Sequence, residues 1–308
     1  MTLLQKADDG DVRRNIWGWW RSHHPHIFRR EHLHGSFFSG VIHTKFGIVD
    51  KNLEYTPLPP SKNTFDILLL IARPAAGKSE IIDHLKKTPL AARQARFHIG
   101  EFEEIDDFPM LWTWFEEDAI LQRMGQPRLH TDAGGNFSGH HLWDVLIERI
   151  CLAYQKKLRD DPTYHDTTTT VIEFARGSEH GGFARAFEHL SAEVAGRMAI
   201  LYLDVSWEES LRKNRARFNP DRPDSILEHG LPDSILEKLY RYVDWEEISA
   251  ADPEFIEIQG VRVPYAVFEN ADDVTTQRGA ALAQRLEATL ARLWARYTQR
   301  DPSNSPGK

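Results

Sequence analysis

Residues 66–80 constrain the fold of this chain more than any other segment. The apolar run 67–71 is followed by a short loop of small residues that ends in Gly77-Lys78-Ser79. An amphipathic stretch, residues 80–85, follows directly. The apolar run indicates a buried strand, and the amphipathic stretch indicates a helix. We therefore expect a strand, a tight loop and a helix, in that order.

The loop between the two segments has the composition of a phosphate-binding loop. Small residues let backbone N–H groups approach an anion, and a helix N-terminus adds the positive end of its dipole. Lys78 is then placed to reach the outer phosphates, and the Ser79 hydroxyl is placed to ligate Mg²⁺. The segment resembles a Walker A loop and predicts ATP and Mg²⁺ as cofactors. The predicted cofactor-binding residues are Arg73, Pro74, Ala75, Ala76, Gly77, Lys78, Ser79 and Glu80.

One position departs from the Walker A pattern, because Ala72 stands where the first glycine belongs. If that position needs a positive φ, alanine costs roughly 1 kcal/mol, and otherwise it costs little. The alternative interpretation is an ordinary strand-to-helix turn with an exposed lysine. The strand before the loop and the helix after it favour the nucleotide site.

Composition narrows the class of protein. The 308 residues are 41% hydrophobic and 27% charged, as in ordinary globular proteins, and the net charge of −8 argues against general nucleic-acid binding. The single cysteine, Cys151, excludes an intramolecular disulfide framework and is expected to be buried filler. No apolar run approaches about 20 residues, so we expect no membrane span. The first residues are too short in their apolar part for a secretory signal, which predicts a cytoplasmic location.

The chain divides into three parts. Residues 1–63 form an N-terminal arm that carries three tryptophans and six histidines and ends in a proline-rich stretch. The histidine spacing is not that of a helical zinc motif, so a packed or solvated aromatic arm competes with a metal site. Residues 64–300 alternate strand-like and helix-like segments, which indicates a parallel sheet covered on both faces. The polar tail 301–308 is expected to be disordered.

The pattern predicts an α/β fold of three layers, with a five-stranded parallel sheet flanked by helices. The predicted strands are 66–71, 95–99, 169–174, 198–204 and 265–269. The predicted helices are 78–87, 109–124, 139–158, 182–195, 206–218, 234–248 and 276–300.

Five parallel strands with a phosphate loop after the first resemble the P-loop kinases of nucleosides, nucleotides and other small molecules. The resemblance covers roughly residues 64–298 and leaves the arm unexplained. It implies a P-loop NTPase fold and ATP- and Mg²⁺-dependent phosphotransfer to a small hydroxyl- or phosphate-bearing acceptor, with Lys78 bridging the phosphates.

The end of the third predicted strand carries Glu173 and Arg176. A carboxylate at the carboxyl edge of the sheet lies beside the phosphate loop when the two strands are neighbours, so Glu173 is a candidate to hold Mg²⁺ through water or to accept the acceptor's proton. The stretch is similar to the Glu-Arg-Ser motif of deoxynucleoside kinases, but two extra residues separate Glu173 from Arg176. By that resemblance Arg176 would neutralise a transferring phosphoryl group.

Residues 211–222 concentrate cations in an otherwise acidic chain. Kinases of the resembling group carry an arginine-bearing lid there, which implies that Arg212 and Arg215 close over the phosphates, with Arg222 in the loop beyond. The alternative is a solvated helix face that pairs with nearby glutamates.

Two further regions are candidates for the edges of the site. Asn270 follows the last predicted strand, and its amide suits an adenine edge, although a plain asparagine turn explains it as well. Residues 100–108, followed by Trp112, Trp114 and Phe115, are expected on the acceptor side, where aromatic and carboxylate groups suit a ring with hydroxyls.

Three functions remain open from the sequence. The first is the phosphotransferase. The second is a nucleotide-binding switch or NTPase module that acts through a protein partner, with the N-terminal arm as its docking element. The third is a P-loop relic without nucleotide binding, which the alanine at position 72 would favour.

Overall fold

The computed structural model describes residues 63–132, 136–217 and 231–299. Six strands form one sheet in the order β2-β3-β1-β4-β6-β5. The strands are β1 (Ile67–Ala72), β2 (Glu101–Asp106), β3 (Thr168–Phe174), β4 (Met198–Asp204), β5 (Phe255–Ile258) and β6 (Val261–Glu269). All neighbouring pairs are parallel except β5 with β6. The predicted parallel sheet is confirmed, but it has a sixth, antiparallel strand at one edge. The arm up to residue 62 and the tail 301–308 lie outside the described residues.

Eleven α-helices occur in the described residues. They are α1 (Lys78–Lys87), α2 (Leu90–Phe97), α3 (Asp107–Arg123), α4 (His141–Asp160), α5 (Gly182–Glu188), α6 (Ala192–Arg197), α7 (Trp207–Arg217), α8 (Asp233–Tyr240), α9 (Trp245–Ser249), α10 (Val274–Gln277) and α11 (Gly279–Gln299). None of the helices in these ranges combines the length and the apolar composition that a bilayer span requires. Three of the long predicted helices are each divided into two shorter ones, which are α5 with α6, α8 with α9, and α10 with α11.

The sheet has a core on each face. Alternate residues of β1 point to opposite sides, and all six are fully buried. Ile67, Leu69 and Ile71 pack with side chains of α4, α5 and α9 on one face. Leu68, Leu70 and Ala72 pack with side chains of α1, α2 and α11 on the other. The structure is therefore the predicted three-layer α/β arrangement. Cys151 lies buried in α4, as expected of filler.

The second strand is not where the sequence predicts it. Most of the predicted strand 95–99 belongs to α2 (Leu90–Phe97), and β2 follows at Glu101–Asp106. β2 pairs only with β3, at the edge of the sheet. Four of its six residues are acidic because an edge strand keeps part of its surface in water, and such a strand lacks the apolar run of a central one.

The connections place the predicted phosphate loop at the centre of one edge. β1 lies between β3 and β4, and the carboxyl ends of all the parallel strands meet at the same edge. The chain passes to β2 and β3 on one side of β1 and to β4 and β6 on the other. Ligands of open parallel sheets bind outside the carboxyl ends at such a switch point. The segment 73–77 that follows β1 is located there.

Candidate functional site

The loop after β1 needs glycine at position 77 for two reasons. Gly77 has φ 112°, which is the left-handed region that disfavours side chains. A Cβ at this position would also lie 2.4 Å from Oγ1 of Thr275. The loop and α10 therefore approach each other so closely that only glycine fits.

Ala72, which stands where the Walker A pattern has its first glycine, causes no backbone strain. Ala72 is the last residue of β1, pairs with Leu203 of β4 and does not have a positive φ. The strained residue is Ala75, whose φ is 59°. A left-handed alanine costs about 1 kcal/mol, so the loop carries its backbone strain three residues after the position at which the motif predicts it.

The side-chain amide of Asn270 anchors the loop after β1 through hydrogen bonds. Its Nδ2 donates to the carbonyl of Ala76 and to Oγ1 of Thr275, both at 2.7 Å, and its Oδ1 accepts from the Thr275 N–H at 3.2 Å. The residue is fully buried. The adenine assignment is therefore wrong for this structure, because the amide is used inside the protein. Asn270 instead fixes the path of the loop after β1.

Two more contacts fix the other end of the loop. The Ser210 hydroxyl, on α7, donates to the carbonyl of Pro74 at 2.8 Å. Nη1 of Arg73 donates to the carbonyl of Val205 at 3.0 Å, just beyond β4. Because the loop is tied to α7, to β4 and to Asn270, its shape exists before any ligand arrives.

The loop leads into a helix that lacks a side-chain cap. α1 begins after Gly77, and no side chain accepts a hydrogen bond at its N-terminus. The first N–H groups of a helix have no acceptor within the helix. Lys78 and Ser79 are both half-buried in this first turn. The turn therefore offers N–H groups, a cation and a hydroxyl at one point.

Two carboxylates face this turn from the neighbouring strands. Asp106 ends β2 and lies opposite Glu173 of β3, which in turn lies opposite Leu70 of β1. We call Asp106 and Glu173 the carboxylate pair. The predicted position of Glu173 beside the loop strand is confirmed.

The pKa values of both members of the carboxylate pair are raised. Burial, and then the charge of Glu173, raise the pKa of Asp106 well above its usual range, while Lys78 opposes the shift. Burial also raises the pKa of Glu173, and Lys78 again opposes it. Two carboxyls this close favour retention of one proton between them. Oε2 of Glu173 is buried and has no hydrogen-bond partner among the described residues.

Lys78 connects the loop with the carboxylate pair. Its charge acts on both carboxylates, yet it forms no ion pair with any residue in the described part of the chain. A lysine that is near two carboxylates and bonded to neither is available to an incoming anion. This arrangement is the candidate site.

Sequence reasoning missed Asp106 as an individual member of the site, although it flagged the segment around it. A signal exists, because Asp106 caps α3 by accepting from the Phe108 N–H at 2.9 Å, and Pro109 stands in the first helical turn. An aspartate cap followed by proline marks a helix start. It would have placed the strand end at residue 106.

Arg176 does not reach the site. It is 2% exposed, and its Nη1 donates to Oδ2 of Asp107 at 2.5 Å. Its guanidinium also lies over the rings of Trp143 and Phe174. The predicted role in neutralising a phosphoryl group is corrected, because a guanidinium already paired and buried serves the packing between β3, α3 and α4.

The predicted lid arginines are on α7 and both form ion pairs. Arg212 binds Glu209 and Asp273, and its side chain is 56% exposed. Arg215 binds Asp233 with a side chain that is 62% exposed. Arg222 lies outside the described residues. Arg212 is the better placed of the two, because Asp273 immediately precedes α10, which touches the loop at Gly77.

The predicted aromatic wall of the acceptor side divides into two parts. Trp114 is buried and stacks on His130, with ring centroids 5.2 Å apart, so it belongs to the packing. Trp112 is half-buried and stacks on Phe108 and Phe115. Trp112 and its two neighbours remain candidates for the acceptor side.

No family model matches the sequence, and no curated protein does. Among solved structures, a gluconokinase from Sinorhizobium meliloti 1021 is similar over 75% of this chain and 95% of its own length. The sequence identity is 15% and the TM-score is 0.36. At these values neither an activity nor a residue role transfers between the two proteins, so the site rests on the geometry of this chain.

Proposed function

We propose that this protein is an ATP- and Mg²⁺-dependent phosphotransferase that acts on a small-molecule acceptor, such as a nucleoside, a nucleotide or a similar hydroxyl- or phosphate-bearing compound. The observation that carries the proposal is the position of Lys78, which forms no ion pair within the described residues and whose charge acts on two half-buried carboxylates. Phosphoryl transfer needs such positioning and charge neutralisation more than covalent chemistry.

The phosphates bind to the N–H groups of the loop 73–79 and of the first turn of α1. The left-handed geometry of Ala75 and Gly77 supports this, as does the absence of a side-chain cap on α1. Lys78 neutralises the outer phosphates.

Mg²⁺ fits residues of the site without a cage made only of protein. Within the described residues, no group of three or more His, Cys, Asp or Glu side chains has the arrangement of a metal site. Kinases hold Mg²⁺ through one or two protein groups together with phosphate oxygens and waters. The Ser79 hydroxyl and the unpartnered Oε2 of Glu173 are the groups that would hold it.

The carboxylate pair supplies the base. The ionised member accepts the proton of the attacking hydroxyl, and the raised pKa values bring the pair closer to neutral pH than a solvated carboxyl is. Asp106 ends the strand that leads into α3, on which Trp112 lies. The acceptor therefore enters from that side of the sheet.

An ADP-release assay with ATP, Mg²⁺ and a panel of nucleosides, nucleotides and sugars tests the proposal. We expect release that depends on one class of acceptor and is abolished in Lys78→Ala. Lys87→Ala, which removes an exposed lysine of the same helix, is the matched control and retains activity. ADP release without any acceptor would instead support an NTPase or switch module, and turnover by Lys78→Ala would remove that lysine from the mechanism.

A further inference from the structure

A second recess opens at the same sheet edge, on the β4 side of the loop. It has a volume of about 190 Å³ and is bordered by Arg73, Tyr202, Asp204, Tyr242, Trp245 and Glu246. We call it the β4 recess. None of these residues except Arg73 has a part in the phosphate site.

The β4 recess holds two carboxylates that form no ion pair with residues in the described ranges. The side chains of Asp204, at the end of β4, and of Glu246, on α9, form no hydrogen bond or ion pair with residues in the described ranges. Burial raises the pKa of Asp204, and Glu246 adds to the rise while Arg73 opposes it. The two groups therefore act on each other across the recess.

Arg73 does not satisfy these carboxylates. Its Nη1 and Nη2 donate to the carbonyls of Val205 at 3.0 Å and Arg241 at 3.4 Å. Two carboxylates and one guanidinium leave the lining with one negative charge in excess. The recess therefore favours a ligand with a single positive charge.

The hydroxyl of Tyr202 is a third polar group that faces the β4 recess. Tyr202 is 2% exposed and lines the recess, and its hydroxyl has no hydrogen-bond partner among the described residues. The hydroxyl itself is not fully enclosed, so a ligand in the recess can reach it as a hydrogen-bond acceptor. The ring of Tyr202 stacks on Trp245 with centroids 4.1 Å apart, which fixes where the hydroxyl lies.

These observations select the chemistry of the ligand. A primary ammonium has three N–H donors, and the recess offers three acceptors, namely Asp204, Glu246 and the Tyr202 hydroxyl. A divalent metal suits the recess poorly, because only two carboxylates are present and Arg73 adds a positive charge. At the rim, the ring of Tyr242 is 68% exposed and already has the Arg241 guanidinium over one face, 5.7 Å from the ring centroid, so the ring is a surface that attracts cations.

We propose that the β4 recess binds a small organic molecule through a primary ammonium group held by Asp204, Glu246 and Tyr202. The inference goes beyond the phosphotransferase function, since it requires no nucleotide. A free amine and a lysine side chain carry the same group, so both are included as probes.

Calorimetric titration of the full chain with putrescine, ethanolamine and Nα-acetyl-lysine amide tests the inference. Ethylene glycol, which lacks the charge, and choline, which lacks N–H donors, are the matched ligand controls. We expect at least one primary amine to bind about tenfold or more tightly than either control, in the absence of ATP. Binding by the amines alone identifies a free metabolite-like ligand, and binding by the lysine derivative alone identifies a peptide side chain.

Three variants locate the binding. Glu246→Gln, at an exposed position, and Asp204→Asn, at a half-buried one, each remove one negative charge, and Tyr202→Phe removes the hydroxyl. We expect Glu246→Gln and Asp204→Asn to weaken amine binding about tenfold each. Glu257→Gln, an exposed change of equal charge on β5, leaves the affinity unchanged. Absence of amine binding, or equal binding by all variants, would overturn the proposal, and neither result would bear on ATP binding.

Discussion

Two pairs of carboxylates flank the loop after β1, and they differ in almost every physical respect. On the β3 side, which we call the shielded side because burial raises the pKa of both carboxyls there, Asp106 and Glu173 are half-buried, and the charge of Glu173 adds to the rise at Asp106 next to the unpaired Lys78. On the β4 side, Asp204 and Glu246 line an open recess with aromatic walls, and the nearby cation, Arg73, is bonded to backbone carbonyls.

The difference shows how one loop serves two environments. Arg73, the first residue of the loop, holds the loop in position through hydrogen bonds to two backbone carbonyls. Lys78, at the other end of the loop, forms no ion pair with the described residues. A site that stabilises transferred charge needs a free cation in a shielded place. A site that recognises a charged group needs unsatisfied acceptors that solvent can reach. The two proposals therefore place chemistry on the β3 side and recognition on the β4 side.

The largest expected effect is on stability and comes from the buried ion pair of Arg176 with Asp107, next to the carboxylate pair. Arg176→Ala leaves Asp107 buried without its partner, and breaking a buried ion pair costs about 3 kcal/mol or more. We expect this loss in the free energy of unfolding, measured by urea denaturation. Arg262→Ala, which breaks a surface pair, should cost about 1 kcal/mol or less. A fully stable Arg176→Ala variant with lost turnover would return the arginine to a catalytic role.

The next effect concerns the loop that both sides share. Gly77→Ala combines a left-handed alanine with a collision against Thr275, and we expect a stability loss of about 2–3 kcal/mol. Gly125→Ala is the matched control, because Gly125 also has a positive φ but nothing within 4 Å of the added methyl. It should cost about 1 kcal/mol. Equal losses in the two variants would contradict the close approach of Thr275.

The pH dependence of stability separates the two carboxylate pairs. Folding raises the pKa of Asp106, so the folded state binds its proton more tightly than the unfolded state does. The contribution of Asp106 to stability is therefore most favourable in acid and is lost as the pH rises from its usual pKa through the raised one. Asp106→Asn keeps the cap oxygen and removes the charge. It should stabilise the protein at neutral pH by on the order of 1 kcal/mol, while abolishing turnover.

Thermal denaturation across a pH series measures this effect. The gain from Asp106→Asn should shrink as the pH falls into the usual aspartate range. Glu246→Gln, on the β4 side, should change stability by about 0.5 kcal/mol or less at every pH. A destabilised Asp106→Asn variant at neutral pH would show that the shielded carboxylates do not repel each other.

The smallest effects come from the alanines of the loop segment. Ala75→Gly relieves the left-handed strain at a cost in unfolded-state entropy, for a net gain of about 0.5 kcal/mol. Ala72→Gly restores the Walker A pattern, yet it should lose about 1 kcal/mol because the residue is a buried strand position. Chemical denaturation of both variants checks the opposite signs. A stabilising Ala72→Gly would mean that the motif glycine is needed after all.

The sequence predicted the elements that carry strong local patterns. β1 and β4 are buried on both faces and appear as apolar runs, and α1 begins at Lys78, where the loop pattern requires it. Glu173 followed from the rule that strand ends meet at one edge. These inferences need only neighbours along the chain and the topology of a parallel sheet.

The remaining parts of the site depend on contacts between distant residues. β2 was misplaced because an acidic edge strand has no apolar signal, and Asp106 was overlooked with it. The bond from Asn270 to Ala76 joins residues 194 positions apart, so the buried role of that amide has no local signature. Arg176 likewise looked available until its partner Asp107, 69 residues away, was known. The β4 recess assembles the loop, β4 and α9, which no short motif connects.

Calorimetric titration of Mg·ATP into the wild-type protein and into Lys78→Ala tests the central claim most directly. The account predicts saturable binding to the wild type, a loss of about tenfold or more in Lys78→Ala, and wild-type affinity in Lys87→Ala. Absence of binding to the wild type, or equal affinity in Lys78→Ala, would contradict a triphosphate site at this loop.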